Sequence, residues 1–202
     1  ILTRAGVDAI LVWITIAAFL AGAAANWLIP DEPVHEKGER SRGRDRLAGL
    51  GRLVTDPTFM TVIVAAGLIQ ATHAFYYGFS ALLWKADGVP ESVTGLLWAT
   101  AVAAEIVFLW FLEPWRRRVG PWALLMIGGG VAVLRWIALA LAPPLWLLWP
   151  LQLLHAFSFA ATFLGGLMLV ERHSPPQSAS AAQTLSSALS SGVLIGLATA
   201  FS

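Results

Sequence analysis

Six unbroken apolar stretches, near 5–29, 57–84, 92–112, 121–142, 145–170 and 181–202, account for most of the chain. A helix needs about 20 such residues to cross the hydrocarbon core of a bilayer, so each stretch is long enough to span. Hydrophobic residues make up 57% of the sequence and charged residues 12%, and the mean hydropathy is +0.71. These values exclude a soluble domain and predict an all-α, multi-pass membrane protein built as a polytopic helix bundle.

The connections give the orientation. Lys37, Arg40, Arg42, Arg44, Arg46, Arg52, Arg116, Arg117, Arg118 and Arg172 fall on one side, against Arg4 and Lys85 on the other. Basic residues collect on the cytoplasmic side of membrane proteins. Segments 30–56, 113–120 and 171–180 are therefore expected in the cytoplasm, and the turns near 85–91 and 143–144 outside. Positive charge is spread along the connections and not gathered into a patch, so nucleic acid is not an expected partner. Cysteine is absent, which removes disulfides, thiolate metal sites and thiol catalysis. No signal peptide is expected, because the first apolar stretch is too long for one. Segment 30–56 holds six basic and six acidic residues with Pro30 and Pro33 at its start, and reads as a solvated linker between two bundles.

Against this apolar background, three spans carry one ionisable residue each: Glu105, Arg135 and His155. A charge at the bilayer centre costs about 2.5–3.5 kcal/mol even on the lenient insertion scale, so such residues face a partner or a watery path. Gln70, His73 and Tyr77, at i, i+3 and i+7, form a polar stripe on one helix face. At a 1.5 Å rise per residue, Arg135, His155, His73 and Glu105 lie about 10, 15, 16 and 20 Å from the outer ends of their spans. All four therefore share one layer near the middle of the bilayer. A purely structural Arg135–Glu105 ion pair would have to bridge about 10 Å of height; His155 or a ligand between them would close the gap. His73 taken alone reads equally as a packing histidine. In the last span Gln183, Ser187, Ser190 and Ser191, with Gly192 and Gly196, suggest close helix packing more than ligand contact, and Gln183 is expected to be hydrated.

The run His73-Ala74-Phe75-Tyr76-Tyr77-Gly78-Phe79-Ser80 with Trp84, then Ala104-Glu105, Glu113-Pro114-Trp115-Arg116-Arg117-Arg118-Val119-Gly120, Arg135-Trp136 and Leu154-His155, resembles the phenylpropionate permease-like group of the major facilitator superfamily. The resemblance extends over essentially the whole chain. It implies the sixth to eleventh helices of a twelve-helix permease: 1–29 as the last helix of the N-terminal half, 30–56 as the central cytoplasmic linker, and 57–202 as the C-terminal bundle without its final helix. The rest of the N-terminal half would then be a partner, and a bacterial inner membrane the location. Transport would proceed by rocking of the two halves about a midplane site.

Glu105, Arg135 and His155 also resemble the coupling set of proton-driven lactose permeases. Those carry a carboxylate one turn after the histidine, where this chain has Ser158; the departure weakens any carry-over of the proton path and of sugar specificity. The resulting expectation is a secondary active transporter, a proton symporter for a small organic solute such as an aromatic carboxylate. Arg135 would pair with the carboxylate and Tyr76, Tyr77 and Trp98 would offer stacking surface. The proposed coupling and binding residues are Glu105, Arg135, His155, His73, Gln70 and Tyr77, with no metal and no cofactor. The alternatives are a proton symporter for a sugar or nucleoside, and a membrane scaffold or receptor that moves no solute. An intramembrane enzyme is not expected: there is no H-E-x-x-H or G-x-S-x-G motif, and Gly128-Gly129-Gly130 lies inside an apolar span and not in a phosphate-binding turn.

Overall fold

A computed structural model describes residues 15–16, 19–20 and 51–200. The chain divides into two units, 1–41 and 42–202. In the first, the four described residues are helical, and the remainder of the expected span 5–29 lies outside the described residues, as does 30–50 of the expected linker. In the second, α1 (Pro57–Ala86), α2 (Glu91–Phe111), the short α3 (Glu113–Val119), α4 (Pro121–Ala140), α5 (Leu145–Arg172) and α6 (Ala179–Ala200) follow in order. All but α3 are long and apolar enough to cross a membrane, within a few residues of the expected spans. The fold is that of an all-α, multi-pass membrane protein.

Local chemistry sets the boundaries. Asp56 caps α1 by accepting from the amides of Thr58 (2.8 Å) and Phe59 (3.2 Å), while Pro57 at the first helical position fixes φ where no N–H is needed. Residues 51–55, expected as linker, are helical, and Leu53 is buried in the core beside Phe59, because an apolar side chain at this end of the bundle gains more from burial than the chain gains from freedom. Gly88 (φ +79°) and Gly120 (φ +80°) turn the chain after α1 and α3, a backbone region that costs glycine nothing. The loop expected at 113–120 is mostly the short helix α3. There Arg117 pairs with Glu113 one turn earlier (2.6 Å), and Arg116 donates to the Leu109 carbonyl at the end of α2. These contacts give two of the three arginines local partners in addition to their expected role in topology.

Neighbouring contacts agree with alternating helix directions. Residues 121, 128 and 135 of α4 meet 165, 162 and 158 of α5, so this pair is antiparallel. By contrast α1 and α6 run in the same direction, with Phe59 clustered with Ala182 and Gly67 against Ser190 and Leu194. A Cβ added at Gly192 or Gly196, expected to pack closely, would meet nothing within 4 Å, whereas one added at Gly67 would meet Ser190 and Leu194. Gln183 donates to the Leu167 carbonyl across the α5–α6 interface (3.1 Å) at an exposed position.

Two apolar clusters lie toward the α1 N-terminal end, around Phe59–Ile63–Leu169 and around Phe108–Leu124–Ala161. A third, Tyr76–Trp84–Leu97–Leu148, lies toward the opposite end. Between them sits a layer of buried polar side chains: Gln70, His73, Arg135, Gln152, His155, Ser158 and Thr162. Outward-facing side chains such as Trp110, Phe111, Met126 and Trp146 are more than two-thirds exposed, as befits contact with lipid and not water.

Candidate functional site

The polar layer is assembled by helix periodicity. On α1, residues 70, 73 and 77 share one face, and α5 presents a matching stripe at 152, 155, 158 and 162. Helix α5 is irregular at this level. Pro150 lies inside it, and Phe157–Ala161 adopt a π-helical turn. Such turns widen the ladder and recur at functional positions. Here the widened segment carries Ser158 and turns the Phe159 carbonyl to Gln70 Nε2 (3.3 Å).

Glu105 and His155 form a pair, with Oε1 3.0 Å from Nε2. The Tyr77 hydroxyl lies 3.3 Å from the same Nε2, and Phe159 stacks on the imidazole at 14° between planes and 5.4 Å between centroids. His155 is 2% exposed, whereas the Glu105 side chain is 22% exposed, so the acid forms the accessible lip of the pair. Tyr77, 5.4 Å from Trp98, continues that lip as an aromatic surface.

Arg135 is fully buried and makes no ion pair among the described residues. Its Nε donates to the Leu151 carbonyl (2.9 Å) and its Nη1 to Ser158 Oγ (3.3 Å). The guanidinium lies against two adjoining rings, 4.8 Å from the centroids of both Tyr76 and Trp136, which are 5.7 Å from each other, an arrangement that stabilises a desolvated cation. Both rings are themselves fixed. The Tyr76 hydroxyl meets both polar atoms of the Gln152 amide (2.8 and 2.6 Å), and the Trp136 indole N–H donates to Thr72 Oγ1 (2.9 Å). Nη2 has no hydrogen-bond partner among the described residues.

His73 joins the two parts. Its Nδ1 lies 3.1 Å from the Ile69 carbonyl, its Nε2 3.2 Å from Ser158 Oγ, and its ring 5.3 Å from that of His155. Glu105, Arg135, His155, His73 and Tyr77 are thus brought into one cluster, with Arg135, His155 and His73 buried and Glu105 and Tyr77 on its accessible side. Gln70 is adjacent but separate: it holds the π-turn and does not touch the Glu105–His155 pair. The sequence reading missed Gln152, Thr72 and the bridging role of Ser158. The signal was present in α5, where Gln152, His155 and Ser158 recur at intervals of three, the spacing already noted on α1.

A cavity of about 890 Å³ lies between α1, α4 and α5, with Tyr76, Trp136, Ser80, Trp84 and Leu148 in its wall. The two rings that touch Arg135 line that cavity, and Arg135 itself does not. Glu105, His73, His155 and Ser158 do not line it, so it is distinct from the polar cluster.

The described residues thus form a bundle of five helices long and apolar enough to cross a membrane, with a buried cation and an acid–imidazole pair inside it. Residues 4–202 match the MFS_1 like family, and the chain belongs to that family, within the phenylpropionate permease-like group of the major facilitator superfamily. A probable 3-phenylpropionic acid transporter of Escherichia coli (strain K12) is 33% identical over 103 residues, 51% of this chain and 27% of that protein. An uncharacterized transporter, YwbF, of Bacillus subtilis (strain 168) is 24% identical over 144 residues, 71% of this chain and 36% of that protein. The matches therefore span well under two-thirds of either relative. No solved structure matches the chain.

Proposed function

We propose that the protein is a secondary active transporter of a bacterial inner membrane that couples uptake of a small organic anion, an aromatic carboxylate, to protons. The observation that carries this reading is Arg135: a fully buried guanidinium with no acidic partner among the described residues and one amino group unpaired. A buried guanidinium without a direct ion-pair partner is costly, and a solute carboxylate supplies one with the fork geometry that guanidinium favours.

Charge balance supports proton coupling. With both imidazoles neutral, the cluster holds one positive charge, on Arg135, and one negative, on Glu105. A bound monoanion leaves it net negative, and one proton on the Glu105–His155 pair restores neutrality. Binding of either therefore favours binding of the other. The aromatic lip of Tyr77 and Trp98 suits a ring-bearing solute. The relative named as a 3-phenylpropionic acid transporter adds a lead to the solute class. The helix ends bearing Arg52, Arg116, Arg117, Arg118 and Arg172 would face the cytoplasm, and the N-terminal half of the permease would complete the site and allow rocking between access states.

The test is solute counterflow by the full-length protein in proteoliposomes, with a panel of aromatic acids, sugars and nucleosides and with or without a pH gradient. The proposal expects competition by aromatic carboxylates and stimulation by an acidic exterior. Competition by sugars or nucleosides alone would reassign the solute to a neutral class. Absence of flux for the whole panel would favour a scaffold or receptor.

A further inference from the structure

The partner of Arg135 on α5 is a hydroxyl, and the hydrogen-bond inventory around it is restrictive. Ser158 Oγ has one hydrogen and two lone pairs, and it lies close to Arg135 Nη1 (3.3 Å), His73 Nε2 (3.2 Å) and the His155 carbonyl (3.2 Å). Arg135 only donates, so it takes a lone pair. The Ile69 carbonyl only accepts, so its 3.1 Å contact places a hydrogen on His73 Nδ1 and leaves Nε2 of the neutral ring as an acceptor. One consistent arrangement results: Arg135 N–H donates to Ser158 Oγ, the single Ser158 hydrogen is shared between His73 Nε2 and the His155 carbonyl, and His73 Nδ1–H donates to the Ile69 carbonyl. Every link is neutral apart from Arg135. The guanidinium is thereby solvated without being neutralised, and its remaining contacts, a backbone carbonyl and two rings, cancel no charge either.

We propose that Ser158, oriented by His73, determines charge selectivity: it holds Arg135 in place through a neutral contact, so that the direct ion-pair partner of the guanidinium is a solute anion and not a protein carboxylate. This rests on the anion reading above. A carboxylate at position 158 would stand within ion-pair range of Nη1 and satisfy the cation internally, turning an anion site into one that favours uncharged solutes.

The experiment compares the full-length wild type with Ser158→Asn and Ser158→Asp, each first checked for monodispersity and thermal melting. The probes are 3-phenylpropionate and its uncharged amide, 3-phenylpropanamide, and the readout is the ratio of their affinities. The wild type should prefer the carboxylate by about tenfold or more, since one desolvated charge pair is worth more than the 1.4 kcal/mol of a decade. Ser158→Asn weakens both ligands but should keep the ratio within about threefold, under 1 kcal/mol. Ser158→Asp should bring the ratio to about one or invert it. A preference retained in Ser158→Asp overturns the assignment of Ser158 while leaving the anion reading intact. Loss of preference in both variants also overturns it, because hydroxyl geometry and not charge would then be at work. A wild type that does not discriminate between the two probes defeats the anion reading itself.

Discussion

Replacing Gly128 by alanine would drive a methyl group into α5. A Cβ at this position would lie 2.1 Å from Thr162 Oγ1, 3.0 Å from Thr162 N and 3.1 Å from Thr162 Cβ. The hydroxyl could swing aside only by giving up its 2.8 Å bond to the Ser158 carbonyl, and the backbone nitrogen cannot move without its helix. Since carbon contacts are comfortable near 3.5 Å, α4 and α5 would have to part by about 0.5 Å. Overpacking of this kind costs about 1–3 kcal/mol. Position 128 is two turns from Arg135 on one face of α4, and Thr162 is one turn from Ser158 on α5. The wedge therefore also stretches the Arg135–Ser158 bond, already 3.3 Å and near the limit for a useful hydrogen bond. Thermal unfolding of the full-length protein in detergent, followed by tryptophan fluorescence, should show Gly128→Ala melting lower by roughly 1–6 °C, together with weaker anion binding. Gly130→Ala is the control. Nothing lies within 4 Å of a Cβ there, and exchanging a helical glycine for alanine should be neutral or stabilise by up to about 1 kcal/mol. If Gly128→Ala melts and binds like the wild type, the α4–α5 approach is not as close as this reasoning requires.

Two other expectations concern coupling and topology. Glu105→Gln removes the acid that holds His155 at 3.0 Å but leaves Arg135 untouched. Accumulation driven by a pH gradient should be lost while solute exchange persists in part; undiminished pH-driven uptake would place the proton site elsewhere. A cysteine introduced at Ser41 or Ser174 of the full-length protein should react with a membrane-impermeant reagent only from the cytoplasm, and one at Gly88 only from outside. Labelling at Gly88 from the cytoplasm would invert the whole map.

The spans and the polar layer were legible in the sequence because both follow from one-dimensional rules, the length of an apolar run and the 1.5 Å rise of a helix. The same arithmetic left about 10 Å between Arg135 and Glu105, and the structure keeps them apart: His155 takes the acid and Ser158 takes the arginine. Contacts that depend on irregular backbone or on which face meets which neighbour were not legible. Periodicity gives no warning of the π-turn at Phe157–Ala161 that carries Ser158 and turns the Phe159 carbonyl toward Gln70. Nor does it show that Ser190 lies against Gly67 of α1. The Tyr76–Gln152 and Trp136–Thr72 contacts that fix the rings around Arg135 link residues 76 and 64 positions apart, beyond the reach of any local pattern.

The central claim is that one proton and one monoanion bind together and leave the buried cluster neutral. Its most direct test is the simultaneous measurement of proton and 3-phenylpropionate entry by the full-length protein in proteoliposomes, with the membrane potential clamped by potassium and valinomycin. The account predicts one proton per anion and a rate set by the pH gradient and insensitive to the clamped potential. Uptake that follows the potential at zero pH gradient, or that requires sodium and moves no protons, would contradict it.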